Sequence, residues 1–476
     1  MKKILCILLT LMCVLGLCAC KNGGSETHEE PHRGLQAGFG REVVMPEIVQ
    51  GVHINGTDTA SRICQGFLDH IKVTCIALRD EAGTTILIYT CDMLGSNDAI
   101  IEPLRTEVSK ATGIAEANIM FAATHTHSAP AMSGNYEGAA EYRKIFSAGA
   151  VKAGQDAIAD LSPAELSYGS TQATGLLFVR HYVHDDGRIT ASSGIKVGDV
   201  IVGHPTEADE ELQILRLTRP AEGKKDILLL SWNSHPTFHG GVKDYLISAD
   251  FPGPTRDYIE SQGDYLVAYF TGDAGNQAPT SAIREENHSL DYKQFGEKLG
   301  NFCLEALPNL TPAQGSTLRI TAQEYPARAN KERLNELDKA QEIMSVYNAQ
   351  GRDAANALAE EYGFYQFLEA RAVINRSTSE ATKYITMHAL AVGENVSVIF
   401  APYEMFTNHG HQIRVETPYD ITFVSSCSNG GDGYIPSKEA YEYGCYESYV
   451  SYVAPGTGEE LVTEYLNMLN QLKTNP

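Results

Sequence analysis

Trp232 is the only tryptophan among 476 residues, and positive charge is scarce as well: 37 lysines and arginines stand against 60 acidic residues, a formal charge of -23. A surface of that sign repels phosphate backbones, which argues against nucleic acid as a partner. No two cysteines stand in CxxC spacing, which removes the thiolate zinc sites built on that motif. No Pro-, Gly- or Ser-rich linker divides the chain and no internal repeat is visible. One large domain, or two lobes packed tightly together, is therefore expected.

Long apolar runs are also missing, except at the start. MKKILCILLTLMCVLGLCAC places two lysines before about fifteen apolar residues, too few to cross a bilayer with ease and suited to an export signal. Its last four residues, Leu17-Cys18-Ala19-Cys20, resemble a lipobox, at which the signal is cut and the cysteine acylated. The expectation is a signal peptide over 1–19, a lipidated Cys20 that anchors an exported protein to the membrane, and a polar tether over 20–36. Tether residues such as KNGGSETHEEPHRG cannot bury enough apolar area to fold. The folded part is expected over 37–476. It retains six further cysteines, Cys64, Cys75, Cys91, Cys303, Cys427 and Cys445. Several lie in apolar runs where cysteine serves as a small buried hydrophobe, and their pairing is left open.

The remaining pattern alternates strands and helices. LQAGFGREVV reads as an opening strand, and IKVTCIALRD and TTILIYTCDML as a hairpin around Glu81-Ala82-Gly83. AIIEPLRTEVSKATG has apolar residues at helical spacing (Ile101, Leu104, Val108, Ala111) and closes on Gly113. NIMFAATHTH follows as a strand, ELQILRLTR and DILLLSWNSH as a pair, and DYLVAYFTGDAGNQAP, NVSVIFAPYEMF and ITFVSSCSNGGDGYIPS as three more. Residues 330–375 read as two helices broken around Asn348–Asp353, with no catalytic cluster, and ELVTEYLNMLNQL as a terminal helix. The fold class is α/β, with mixed β-sheets flanked by helices.

Four strands end in polar groups: at His125, at His235, at the Asp273 turn and at Glu404. Brought to one sheet edge, they would form one site. Imidazole and carboxylate are the usual ligands of a catalytic zinc, and separate rigid strand ends are a good way to hold them. His125 and His127, two apart, would point to the same side on an extended backbone, one as ligand and the other as proton carrier. In SWNSHPTFHG, His235 directly follows an apolar strand while His239 lies beyond Pro236, which favours His235. A histidine at a strand end is more often a structural hydrogen-bonder, and no HExxH string lies among these strand ends, so spacing alone leaves the metal site open.

Taken together, NIMFAATHTHSAPA, LLLSWNSHPTF, YFTGDAGNQAP, APYEMF and SNGGDGYIPSKEAYEYGCYE resemble the N-terminal catalytic domain of the neutral/alkaline non-lysosomal ceramidases, in the family's order and over about residues 37–470. The resemblance implies a zinc ion held by His125, His235, Glu404 and Tyr434. It implies that His127 lies at the substrate as proton carrier and that Tyr446 and, more loosely, Arg180 face the reacting group; for Arg180 a surface salt bridge is the alternative. Asp273 and Asn276 are expected to shape the turn and orient ligands. Two departures stand out. Gly275 occupies the place of the family's serine, which argues against a serine acyl-enzyme, and Tyr403 stands where the family's Pro-Gly-Glu turn has glycine. The family's C-terminal immunoglobulin-like domain has no expected counterpart. The implied activity is zinc-dependent hydrolysis of an amide in an N-acyl lipid or related acyl amide. The alternatives are a zinc hydrolase of another ester or amide in the cell envelope, and a non-catalytic binding lipoprotein.

Overall fold

The computed structural model describes residues 34–474 apart from 48–50, 57, 96, 242, 284 and 285, and only the backbone of Ser193. The expected signal peptide, Cys20 and the tether through residue 33 lie outside the described residues. Leu35 is already buried, and Gln36 opens the first strand.

The chain builds the same module three times. In the first, β1 (Gln36–Val43), β2 (Lys72–Arg79) and β3 (Thr85–Cys91) run antiparallel; α1 (Asp98–Thr112) then crosses over to β4 (Ile119–Ala123), which lies parallel to β3, and α2 (Ala139–Ala159) returns. The second repeats this order with β5 (Glu165–Gln172), β6 (Glu211–Thr218), β7 (Asp226–Trp232), α3 (Pro252–Ser261), β8 (Tyr265–Thr271) and α4 (Tyr292–Ala306). The third opens with β9 (Leu318–Arg328), then inserts the helices α5 (Leu337–Gln350), α6 (Arg352–Glu361) and α7 (Phe367–Thr378). It resumes with β10 (Thr382–Val392), β11 (Val396–Phe400), α8 (Thr407–Glu416), β12 (Ile421–Ser425) and α9 (Thr457–Thr474). The expected hairpin around Glu81-Ala82-Gly83 and the expected strand pair β6–β7 are present. The helical segment contains three helices where two were expected, with a break at Gly351. On α1 the buried positions are Ile101, Leu104, Arg105 and Val108; Ala111 is exposed.

Continuous apolar strands mean burial on both faces. Alternation decides which residue goes where. Ile86 and Ile88 of β3, Ile227 and Leu229 of β7, and Val396, Val398 and Phe400 of β11 meet in one central core that draws on all three sheets. Leu87 and Tyr89 turn outward to the first module's helices, Leu228, Leu230 and Trp232 to the second's, and Ile399 to the third's. All six cysteines in the described part are free and buried.

Because β1 and β3 both run antiparallel to β2, their C-terminal ends share an edge. The same holds in the other two modules. The long connections 44–71, 173–210 and 329–381 therefore sit on the edge where the parallel pairs end. The opposite edge carries the tight hairpins after β2, β6 and β10.

Each crossover helix sends an arginine into the neighbouring module. Arg256 of α3 pairs with Asp92, just after β3, at 2.8 and 2.6 Å, both side chains being buried. Arg414 of α8 meets Asp273 after β8 at 2.7 Å, and Arg105 of α1 donates to Oδ1 of Asn429 after β12 at 3.2 Å. Removing one partner of such a pair strands the other in a low-dielectric interior. Arg256→Leu is expected to lose about 3–5 kcal/mol in urea unfolding. The double variant Arg256→Leu/Asp92→Leu should recover most of that loss, and a double variant no more stable than the single one would contradict the pairing.

Candidate metal centre

β4 ends at Ala123, and the chain kinks at His125, whose φ of +64° lies in the left-handed region rarely used outside glycine. The expected extended backbone is thus corrected. The kink, and not the strand period, brings Nε2 of His127 to 3.4 Å from Nε2 of His125. Tertiary contacts hold it: Nδ1 of His125 donates to the Leu94 carbonyl at 2.6 Å and lies 3.3 Å from Sγ of Cys427, itself at φ +52°.

His235, three residues past β7, is fixed in the same manner. Its Nδ1 donates to the Ala274 carbonyl at 2.7 Å, with the Gln277 carbonyl at 3.2 Å. Both imidazoles therefore turn an Nε2 lone pair inward. Those lone pairs meet the same atom: Oε2 of Glu404 is 2.9 Å from Nε2 of His235 and 3.3 Å from Nε2 of His125. Tyr434 brings its hydroxyl to 3.4 Å from Nε2 of His235, and its short strand Tyr434–Ile435 pairs parallel with Glu404–Met405. Ligand atoms of His125, His127 and His235 all lie within 4.8 Å of one another. Lone pairs aimed at a carboxylate repel it unless a cation lies between them, so this donor set fits a divalent ion of the zinc type. His125 follows β4, His235 follows β7, and Glu404 and Tyr434 follow β11 and β12 in a two-stranded ladder of their own. His239 stands apart, its ring against Tyr292.

A proton on the imidazoles answers the same demand for positive charge as a cation between them would: against burial, Cys427 and Glu404 raise His125 well above its ordinary value. Burial alone would raise the Glu404 carboxyl, yet the charges and hydrogen bonds of His125 and His235 hold it well below the ordinary range. Burial and the Arg180 charge pull His235 down to about 4. Burial, with repulsion from His125 and His235, pushes His127 well below its usual value, which favours its neutral form.

The remaining expected residues surround this cluster. Arg180 belongs to no surface salt bridge: half-buried, it lies over the Tyr434 ring at 5.4 Å, donates to the Gly275 carbonyl at 2.8 Å and pairs with Glu447 at 2.6 Å. The Tyr446 ring is 5.7 Å from that of Tyr434. Asp273 and Asn276 do not reach the imidazoles. Asn276 accepts from the backbone amide of Thr407 at 2.9 Å and Asp273 pairs with Arg414, which together fasten the start and body of α8, directly after Glu404, to the Gly272–Gln277 loop. Tyr403 faces away into the outer core with Ile413 and Tyr465, so its bulk does not crowd the site.

Sequence reasoning missed the supports. Arg62, fully buried, donates to the His127 carbonyl at 2.7 Å, and a side chain at Gly240, φ +141°, would collide with Cβ of His127. His181 and Glu447 sit next to Arg180 and Tyr446 in the chain, and that adjacency was the one available signal.

Two solved structures share the architecture. A neutral ceramidase from Pseudomonas aeruginosa aligns with a TM-score of 0.70 at 17 % identity, over 93 % of this chain and 75 % of its own. A ceramidase complexed with C2 gives 0.69 at 17 % identity, over 93 % and 76 %. The chain has the fold of neutral ceramidase. No protein-family model matches the sequence, and no curated protein matches it.

Within this ceramidase fold, Gly275 is a packing requirement. Its amide donates to the Met405 carbonyl at 2.7 Å, and an added Cβ would lie 2.6 Å from that oxygen and 2.9 Å from the Glu404 carbonyl. Gly275→Ser is therefore expected to displace Glu404 and weaken metal binding about tenfold or more, as for loss of a ligand-orienting group. Chelator competition would measure it; unchanged affinity would show that the loop tolerates a serine.

Proposed function

We propose that this protein is a zinc-dependent hydrolase of the amide bond in an N-acyl lipid or related acyl amide, exported and held at the membrane through a lipidated Cys20. The observation that carries this reading is the convergence of His125, His235, Glu404 and Tyr434, one set of hard and borderline donors drawn from the strand ends of three modules, within the fold of neutral ceramidase. These four residues would hold the ion, with His127 beside them. When bound, such an ion polarises a carbonyl and makes water a nucleophile at neutral pH.

The chain's own residues supply the rest. His127, neutral and 3.4 Å from His125, takes a proton from the attacking water and returns it to the leaving amine. Arg180 and Tyr446 donate to the oxygen that gains charge as the carbonyl is attacked, a task in which one donor contributes about 3 kcal/mol. With Gly275 in the loop, no hydroxyl is available there for an acyl-enzyme. The same arrangement suits an ester or another amide of the cell envelope, and a paired series of N-acyl amides and matching esters separates these readings.

His125→Ala is expected to abolish both bound zinc and hydrolysis of an N-dodecanoyl amide. His127→Ala should keep the metal and lose about 10²–10⁴-fold in kcat, the usual contribution of general acid-base groups. Metal analysis beside single-substrate kinetics checks both, and a His127→Ala protein depleted of metal would reverse the assignment of the two histidines.

A further inference from the structure

A second cluster of ligand-type side chains lies beside the first: His181, Cys445 and Glu447, all buried, with ligand atoms within 4.8 Å. By residue type alone it could hold a metal. Its geometry points elsewhere, because a guanidinium already occupies the carboxylate. Oε1 of Glu447 is 2.6 Å from Arg180, and Oε2 is 2.9 Å from Nε2 of His181. The other ring nitrogen of His181, Nδ1, is 2.9 Å from the Tyr443 hydroxyl. An arginine side chain at one oxygen repels any cation approaching the other.

We propose that Glu447 is the positioning residue for Arg180: its fully buried carboxylate, held in orientation by His181 and Tyr443, aims the guanidinium at the metal centre. Three observations carry this. Glu447 has no exposure to solvent and Arg180 little, so water screens the pair weakly. The residue before it, Tyr446, faces Tyr434, so the short helix Tyr446–Val450 delivers a donor to the site and the anchor of a second donor from consecutive positions. Arg180 is otherwise tied through the Gly275 carbonyl and the Tyr434 side chain, and its Nε is buried without a hydrogen-bond partner among the described residues. Among the described residues Glu447 is the one carboxylate within 4 Å of the guanidinium, which it holds as a buried ion pair, while the Glu404 charge acts from farther off. Burial alone would raise the Glu447 carboxyl, but Arg180 and His181 hold it far below the ordinary range, so the anchor stays charged.

The inference rests on the hydrolase reading for its kinetic arm and stands without it for its structural arms. In zinc-loaded Glu447→Gln, a crystal structure should show the Arg180 guanidinium displaced from the Tyr434 ring, and bound metal should stay at one ion per chain. With an N-dodecanoyl anilide as probe, kcat should fall about 10²-fold with KM little changed, as for a lost transition-state donor. In an Arg180→Met background, Glu447→Gln should cost less than about twofold, because the two residues act as a unit. Should Glu447→Gln fail to fold, Glu447→Asp keeps the charge one methylene short and should give an intermediate loss. Arg180 unmoved in the variant structure, or equal losses in the two backgrounds, overturns the proposal. A second metal ion bound by the wild type and lost in Glu447→Gln overturns it in favour of a metal site. A wild type inert toward every N-acyl amide refutes the hydrolase reading, and the position of Arg180 then decides the role of Glu447.

Discussion

Burial of every parallel strand on both faces is the constraint from which the rest of the structure follows. The inner faces of β3, β7 and β11 share one core and the outer faces are covered by their own helices, so polar function has no room along the strands. It is confined to their ends. Short buried bonds then lock the sheets to one another: the Ser231 hydroxyl donates to the Val424 carbonyl at 2.7 Å and the Thr271 hydroxyl to the Thr124 carbonyl at 2.7 Å. Arg256, Arg414 and Arg105 complete a cyclic set in which each module grips the polar strand ends of the module before it. His125, His235 and Glu404 thus come from the strand ends of three modules whose relative placement is over-determined.

That rigidity supports local strain. His125 and Cys427 both have positive φ and touch one another, and Asn429, at φ +63°, accepts from the Phe121 amide at 2.8 Å inside β4. Such conformations cost about 1–3 kcal/mol each and persist only where surrounding structure holds them. Here the kink turns the His125 imidazole back over the strand end, where the Leu94 carbonyl takes its Nδ1 proton.

The topology also gives the three long connections a shared purpose. They lie on the edge that carries the His125–His235–Glu404 cluster, and they meet there: the Tyr347 hydroxyl of α5 donates to Asp58 at 2.6 Å, and Lys196 pairs with Glu360 of α6 at 2.6 Å. The helical segment that bears no catalytic cluster of its own reaches the site through Tyr365, whose ring lies 6.3 Å from that of Tyr446. Variation in these connections can alter the rim while the strand ends stay in place, since loop insertions disturb a packed core little.

Hydrophobic patterning by itself determined the strands, the crossover helix closed by Gly113 and the polar strand ends, because apolar periodicity is a local property of the chain. Resemblance across separated motifs, not spacing, singled out Tyr434, Tyr446 and Arg180. The threefold repeat was invisible, since the modules share burial and connectivity rather than residues. Only the tertiary structure decided that His125 bends back instead of continuing a strand, that Gly275 must lack a side chain beneath Glu404, and that Glu447 faces Arg180 across 267 residues of chain. Each of these depends on an atom far away in sequence, and no local pattern encodes where that atom will lie.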